Sequence, residues 1–369
     1  MLDRLYGSVA LARRRWIERH PALRRCLDRP VISIGNLVVG GTGKTPVVAA
    51  IAQWLITRGE RPAILSRGYG RARELDGVTV VSDGSRIRAS VDIAGDEPLM
   101  LARQVPGASV CVADDRHLAG VLAERALGST VHVLDDGFQH CHLHRELDVL
   151  VSGPGEIAGG HLLPRGRLRE PMEAAARAHL LVVVGADRQV AADEAWALGI
   201  GESAGATRAQ GEAYFVSAHG TRHTAGEKWQ TADGPTAESS RPVLAVAGLA
   251  NPAQFFDALR AQGWSLARTL AFRDHYAFTR SDISAIAAAM KDTGAVLALT
   301  TEKDAVRFEA CGALPFTLAA VPMAVVFDPQ ETIEGALLAA LARGRSRPRQ
   351  RLPGSGVNEG GRPLDEERP

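Results

Sequence analysis

Gly40-Gly41-Thr42-Gly43-Lys44-Thr45 puts three glycines, a lysine and two hydroxyls within six residues. Glycines let consecutive backbone N–H groups turn inward around an anion, and the N-terminus of a following helix adds partial positive charge at the same point. In such a loop Lys44 reaches the β and γ phosphates of a nucleotide, and the Thr45 hydroxyl reaches a magnesium ion. The cradle starts at Val38 and Val39; the usual pattern has glycine six residues before the lysine, where Val38 stands here. A second constellation, Asp135-Asp136-Gly137-Phe138-Gln139-His140, follows the apolar run Val131 to Leu134. Carboxylates at the carboxyl end of a parallel strand open into the same crevice as a phosphate loop, where they hold magnesium directly or through its waters.

These groups need a scaffold. Val31 to Ile34 reads as a buried strand entering the loop, and Val47, Val48, Ile51 and Leu55 mark one face of the helix leaving it, with Pro46 tolerated in its first turn. Further strands are expected at Ala63 to Ser66, Ser109 to Val112, Val131 to Leu134, Val149 to Val151 and Leu180 to Val184, with helical stretches between most of them. That alternation predicts an α/β fold of the P-loop NTPase type, a mainly parallel sheet with helices on both faces. The rhythm fades over 190–240, where an insertion is expected at Thr221 to Ser240. A second, smaller α/β/α unit should follow, with strands Val243 to Ala247, Val296 to Thr300 and Val321 to Phe327 and helices near Pro252 to Gln262, Ser281 to Asp292 and Glu331 to Ala342. The expected division is thus an N-terminal helix over 1–30, a kinase-type domain over 31–200, a linker or ribbon over 201–240, a second domain over 241–343 and a disordered tail over 344–369, where Arg, Pro and Gly leave little to bury.

Forty-three basic and 42 acidic side chains nearly cancel, so no global field argues for nucleic acid. The first 30 residues nevertheless carry eight arginines against Asp3, Glu18 and Asp28. Leu2, Leu5, Tyr6, Val9, Trp16 and Ile17 recur there at helical spacing, which suits either a basic amphipathic helix lying on a membrane surface or a first helix packed on the domain. No apolar run is long enough to span a bilayer. Cys26, Cys111, Cys141 and Cys311 form no CxxC pair, which excludes a disulfide framework and a cysteine-type zinc site and fits a reducing, cytoplasmic setting.

Several weak motifs in one order make a specific match: GNLVVGGTGKTP, SRGYGR at Ser66 to Arg71, GDEP at Gly95 to Pro98, DDGFQH, LLPRGRLREP at Leu162 to Pro171, AGLANP at Ala247 to Pro252, FRDHYAF at Phe272 to Phe278 and TTEKDAVRF at Thr300 to Phe308. Through them the chain resembles the tetraacyldisaccharide 4'-kinase family from about Leu5 to Ala342, and the atypical Val38 resembles that family too. The resemblance implies transfer of the ATP γ-phosphate, with Mg2+, to the 4'-hydroxyl of a lipid A disaccharide monophosphate at the cytoplasmic face of the inner membrane. It also implies two α/β/α domains joined by a small β-ribbon, with the site in the cleft. By residue, it implies Asp96 as catalytic base and His275 as its support; a plain alternative for Asp96 and Glu97 is helix N-capping before Pro98.

An Asp and His pair would share the proton of the attacking hydroxyl, and because the two motifs lie in different domains the pairing is expected to need domain closure. Glu97 and Asp136 join Asp135 and Thr45 as magnesium candidates, while Glu170 is a candidate for magnesium or the lipid sugar. Arg165, Arg167 and Arg169 could meet the substrate 1-phosphate through bidentate bonds, though a solvated basic loop is equally expected. His140, His142 and His144 alternate, but without carboxylate support they do not argue for a transition metal. Two other classes fit parts of the pattern: a P-loop GTPase or metallochaperone-like switch, and a soluble small-molecule kinase. Lys303 and Asp304 are adjacent where a guanine-reading loop needs a residue between them, and the second alternative leaves the basic N-terminus without a role. The sequence leaves the oligomeric state open.

Overall fold

A computed structural model of the chain describes residues 12, 16, 17, 19, 20, 24–68, 71–211, 213–216, 241–274 and 276–347. The first lobe contains β1 (Val31–Gly35), β2 (Pro62–Ser66), β3 (Thr79–Asp83), β4 (Ser109–Val112), β5 (Val131–Asp135), β6 (Leu147–Ser152), β7 (Leu180–Val184) and β8 (Glu202–Gln210). The chain then builds β9 (Tyr214–Val216), β10 (Val243–Gly248), β11 (Leu266–Phe272), β12 (Leu297–Thr301) and β13 (Leu318–Val321), and returns to the first lobe with β14 (Met323–Asp328). The helices are α1 (Lys44–Thr57), α2 (Val91–Ala94), α3 (Asp96–Gln104), α4 (Arg116–Ala126), α5 (Arg188–Leu198), α6 (Pro252–Ala261), α7 (Arg280–Thr293), α8 (Glu302–Glu309) and α9 (Gln330–Ser346).

The large sheet has the order β14-β8-β7-β6-β1-β5-β2-β4-β3, parallel except for the two edge pairs β14/β8 and β3/β4. From β1 the connections run outward to β2 and β4, come back to β5 beside β1, and continue through β6 and β7 on the other side. The reversal of direction leaves a crevice at the carboxyl ends of β1 and β5. Helices cover both faces. Ile32 and Ile34 pack with Val47, Ile51 and Leu55 of α1 and Leu337 of α9, while Val31, Leu65 and Leu134 face Ala119 and Ala123 of α4. Each such large aliphatic side chain withdrawn from water contributes about 1.5–3 kcal/mol, which makes this core the rigid frame of the crevice.

The smaller sheet has the order β11-β10-β12-β13-β9, parallel except for β13/β9. Its boundary differs from the expected one in three ways. Val321 to Phe327 is not one strand: Pro322 lacks the N–H a ladder needs, and there the chain crosses from the small sheet to the large one. The helix expected near Glu331 to Ala342 therefore packs on the first lobe, and the second lobe closes at Val321 instead of 343. Residues 202–210 are not linker but an interior strand of the large sheet, whose Ala, Gly and Thr content hides it from an apolar pattern. Paired antiparallel, β8 and β14 run on into β9 and β13, so two adjacent chain crossings join the lobes.

Glu302 marks that joint, accepting hydrogen bonds from Tyr214 Oη at 3.0 Å, from Gln104 of the first lobe and from the Met323 backbone at 3.4 Å. Helix α9 also extends past 344 to Ser346, and Arg347 binds Glu146 and the Leu27 carbonyl, so the start of the expected tail is ordered structure. The remainder of that tail, the insertion at Thr221 to Ser240 and most of the N-terminal segment lie outside the described residues. Within that segment Ile17 is fully buried and Trp16 is half exposed. Among the described residues no helix is long and apolar enough to cross a membrane.

Candidate active site

The phosphate loop leaves β1 under tight constraint. A Cβ on Gly35 would come within 2.5 Å of the Phe138 backbone, so the absence of a side chain is what lets the DDGF turn lie against the loop's entry. Gly40 has φ +119°, and a Cβ there would meet the Arg167 guanidinium at 2.4 Å. The loop's first residues are stitched to the LLPRGRLREP segment: Val39 N donates to Arg167 O, Arg169 N donates to Leu37 O, and Arg167 Nε donates to Val39 O at 2.8 Å. Val38 is buried and bridges Leu168, which gives a packing reason for an apolar residue where glycine usually stands. Gly41 has open space around it, Thr42 is buried, and Gly43 in the left-handed region starts α1, whose first two residues are Lys44 and Thr45.

Asn36 holds this loop together from inside. Its fully buried amide donates to Val38 O at 2.6 Å and to Thr42 Oγ1 at 2.9 Å, and its Oδ1 accepts from Lys44 Nζ at 3.2 Å. Lys44 also forms an ion pair with Asp136, whose other oxygen lies 2.7 Å from Arg169 Nη1. Asp136 adopts φ 56°, the one positive φ of a non-glycine among the described residues. Backbone in that region costs about 1–2 kcal/mol, a strain tolerated best by Asn and Asp and offset here by two cations on the carboxylate. Burial opposes ionisation of Asp136, but Lys44 and Arg169 outweigh it and hold the carboxyl below its usual range.

Asp135 behaves in the opposite way. Register places it beside Ile34 of β1 and its carboxylate accepts from Ser66 Oγ at 3.0 Å, yet burial, with the Glu97 and Asp136 carboxylates nearby and only partly countered by Lys44, pushes it up to about 6. Asp135 thus has the Glu97 and Asp136 carboxylates as charged neighbours and is short of compensating charge. Carboxylate oxygens are the ligand type Mg2+ prefers, but among the described residues no three of them are arranged as a group that could hold a metal ion. Buried Arg116 also faces this cluster, with Asp135 and Asp136 among its charged neighbours.

Asp96 is the first residue of α3, whose N-cap is Gly95 with no side-chain cap; Glu97 N donates to Asp96 Oδ1 at 3.0 Å. Its other oxygen accepts from Arg307 of the second lobe, so both lobes meet at this carboxylate. His275 lies outside the described residues; beside it, Asp274 accepts from Lys303 at 3.1 Å. The aromatic residues of FRDHYAF dock this loop on α8, with Phe278 stacked on Phe308 at 4.0 Å and Tyr276 5.5 Å from Phe278.

The structure thus brings together Lys44, Asp135, Asp136 and Glu97, with Asp96 next to Glu97 and Thr45 following Lys44 in the first turn of α1. Glu170 is placed differently: it is buried and paired with both nitrogens of the Arg177 fork at 2.9 Å, and that guanidinium lies 3.6 Å over the Phe138 ring. Arg167 sits on the phosphate loop near Glu156, and Arg165 is exposed. Residues 140–144 form no strand: 141–142 lie in a turn and Leu143 makes an isolated bridge with Arg25. The sequence reading gave no role to Asn36, Ser66 or Arg307. Each is a polar residue at the end of, or just after, an apolar strand or on a short helix, a weak signal without coordinates.

Comparison with known proteins agrees with this geometry. A family model described as tetraacyldisaccharide-1-P 4'-kinase matches residues 1–342. The tetraacyldisaccharide 4'-kinase of Geobacter metallireducens is 41% identical over 309 residues, 82% of this chain and 86% of that protein. Its counterpart from Anaeromyxobacter sp. strain K is 42% identical over 340 residues, 90% and 87% of the two chains. The crystal structure of LpxK from Aquifex aeolicus in complex with ATP superposes with a TM-score of 0.71 at 28% identity, covering 92% of this chain and 97% of that one. The chain therefore belongs to the tetraacyldisaccharide-1-P 4'-kinase family.

Proposed function

We propose that the protein transfers the γ-phosphate of ATP to the 4'-hydroxyl of a tetraacylated glucosamine disaccharide 1-phosphate, a step of lipid A biosynthesis, with Asp96 accepting the proton of that hydroxyl and His275 supporting Asp96. The observation that carries this reading is the convergence of Lys44, Asp135, Asp136 and Glu97 at the mouth of a loop built to hold phosphate. Residues 38–45 bind the triphosphate through backbone N–H groups and the α1 N-terminus. Lys44 exchanges its Asp136 contact for the phosphates, where its charge is worth most as the transferring group separates. Asp135, Asp136, Glu97 and Thr45 would hold Mg2+, which would supply positive charge to offset that of the triphosphate. Phosphoryl transfer needs positioning above all, and Asp96, one residue from Glu97 and in contact with the second lobe, suits a base brought to the acceptor as the lobes meet.

The Glu170–Arg177 pair favours a supporting role for Glu170, bracing the DDGF turn from behind, over direct contact with the sugar. Arg167, on the phosphate loop, and Arg165 are both exposed, so they can meet the substrate 1-phosphate. The basic residues of 1–30 lay the protein on the anionic cytoplasmic face of the inner membrane, where the lipid substrate resides. Mass spectrometry of the lipid after incubation with ATP and Mg2+ tests the assignment: one added phosphoryl group on the distal sugar is expected, and ATP hydrolysis with unchanged lipid would point to the nucleotide-switch alternative.

A further inference from the structure

Helix α8 carries Lys303 and Arg307 one turn apart, so both side chains project from one face. That face meets the first turn of α3, where Asp96 and Glu97 are consecutive. Arg307 Nη2 donates to Asp96, and Lys303 Nζ lies 3.9 Å from Glu97 and 3.1 Å from Asp274, the residue before His275. Neither end of the Arg307–Asp96 bond is solvated: Asp96 is 7% exposed and Arg307 8%.

The arginine arrives already braced. Its Nη1 donates to Asp304 Oδ1 at 2.9 Å and approaches Gly248 O at 3.4 Å. Asp304 is fully buried and fixed in turn by Gly248 N and Thr301 Oγ1, both at 2.8 Å from Oδ2. The tip of β10, the N-cap of α8 and the guanidinium therefore form one braced unit of the second lobe that meets the first lobe at the Asp96 carboxylate. A planar fork can satisfy Asp304 and Asp96 at once, which the compact ammonium of lysine does less well.

We propose that Arg307 is a positioning residue of the kinase: it registers the second lobe directly on Asp96, so that seating of the lobes and orientation of the base are a single event, with Asp304 as its brace and Lys303 aligning the Asp274 loop beside it. The proposal rests on the reading of Asp96 as the base. It assigns no contact between Arg307 and ATP, which is held by first-lobe residues.

Steady-state kinetics of Arg307→Gln, Arg307→Lys and Asp304→Asn in the full chain test it, alone and combined with Asp96→Asn. A misplaced base should lower kcat about a hundredfold in Arg307→Gln, with KM for ATP within about twofold. Arg307→Lys should recover part of the loss, and Asp304→Asn should show a smaller loss of the same kind. In the Asp96→Asn background Arg307→Gln should cost nothing more, since it acts through that carboxylate. An equal loss in both backgrounds, or a raised KM for ATP with kcat unchanged, would overturn the proposal while leaving the base in place. Wild-type kcat in Asp96→Asn alone would instead remove the base itself, and the positioning role with it.

Discussion

Lys44 Nζ lies 3.2 Å from Asn36 Oδ1, and the same asparagine donates to Val38 and Thr42, so the one lysine of the phosphate loop is tied to the loop's own internal brace. Its second partner, Asp136, keeps a cation in Arg169 when Lys44 is removed. Lys44→Ala should therefore fold normally yet lose about a hundred- to a thousandfold in kcat, the scale of one lost transition-state contact. Steady-state rates with saturating ATP check this; a near-normal kcat would take Lys44 away from the γ-phosphate.

Asn36→Ala leaves a buried carbonyl and hydroxyl without their donor. That should cost about 1–3 kcal/mol of stability and raise KM for ATP, because the loop loses its fixed shape. Thermal melting with and without nucleotide separates the two effects: the destabilisation persists without ATP, and the stabilisation by ATP is weaker than in the wild type.

Burial pushes the Asp135 carboxyl up to about 6 from an ordinary 3.8. The folded chain therefore holds this proton more tightly than the unfolded one. Its contribution favours folding at low pH and is lost as pH rises from 3.8 through about 6. Without metal, Asp135→Asn should be more stable than wild type above that window and nearly equal below it, while losing the stabilisation that Mg2+ and ATP confer. Melting temperatures across the window, with and without Mg2+, test both halves; a variant that tracks the wild type throughout contradicts the assignment.

Arg177 joins Glu170 to the Phe138 ring and carbonyl behind the DDGF turn. Arg177→Ala strands a buried carboxylate and should cost about 3–5 kcal/mol. Glu170→Gln, which keeps the size and one of the two acceptor oxygens, should cost less and retain most of kcat. A large fall in kcat for Glu170→Gln at unchanged melting temperature would place Glu170 on the substrate instead.

Much of this was legible before coordinates because it depends on local chemistry. A glycine loop between an apolar strand and an amphipathic helix, and aspartates closing another strand, have few structural meanings, and β1, β5 and α1 form where those patterns fall. The rest depends on tertiary context. Strand β8 has an Ala, Gly and Thr composition that becomes sheet only because β7 and β14 flank it, and the turn from β13 to β14 is visible in sequence only as Pro322. Arg307 and Asp96 are separated by 211 positions, and a lone arginine on a short helix gives no sign of the carboxylate it meets. Glu170, a candidate for magnesium or the lipid sugar by sequence, is buried because Arg177 lies seven residues on and Phe138 supplies an aromatic face.

The most direct measurement is the initial rate at which label from γ-phosphate-labelled ATP enters the acylated disaccharide 1-phosphate, with wild-type protein and with Asp96→Asn at equal ATP occupancy. The account predicts a bisphosphorylated lipid from the wild type and a rate lower by about a hundred- to ten-thousandfold from Asp96→Asn, the range of general base catalysis. Equal rates from the two proteins, or label released only as inorganic phosphate by the wild type, would contradict it.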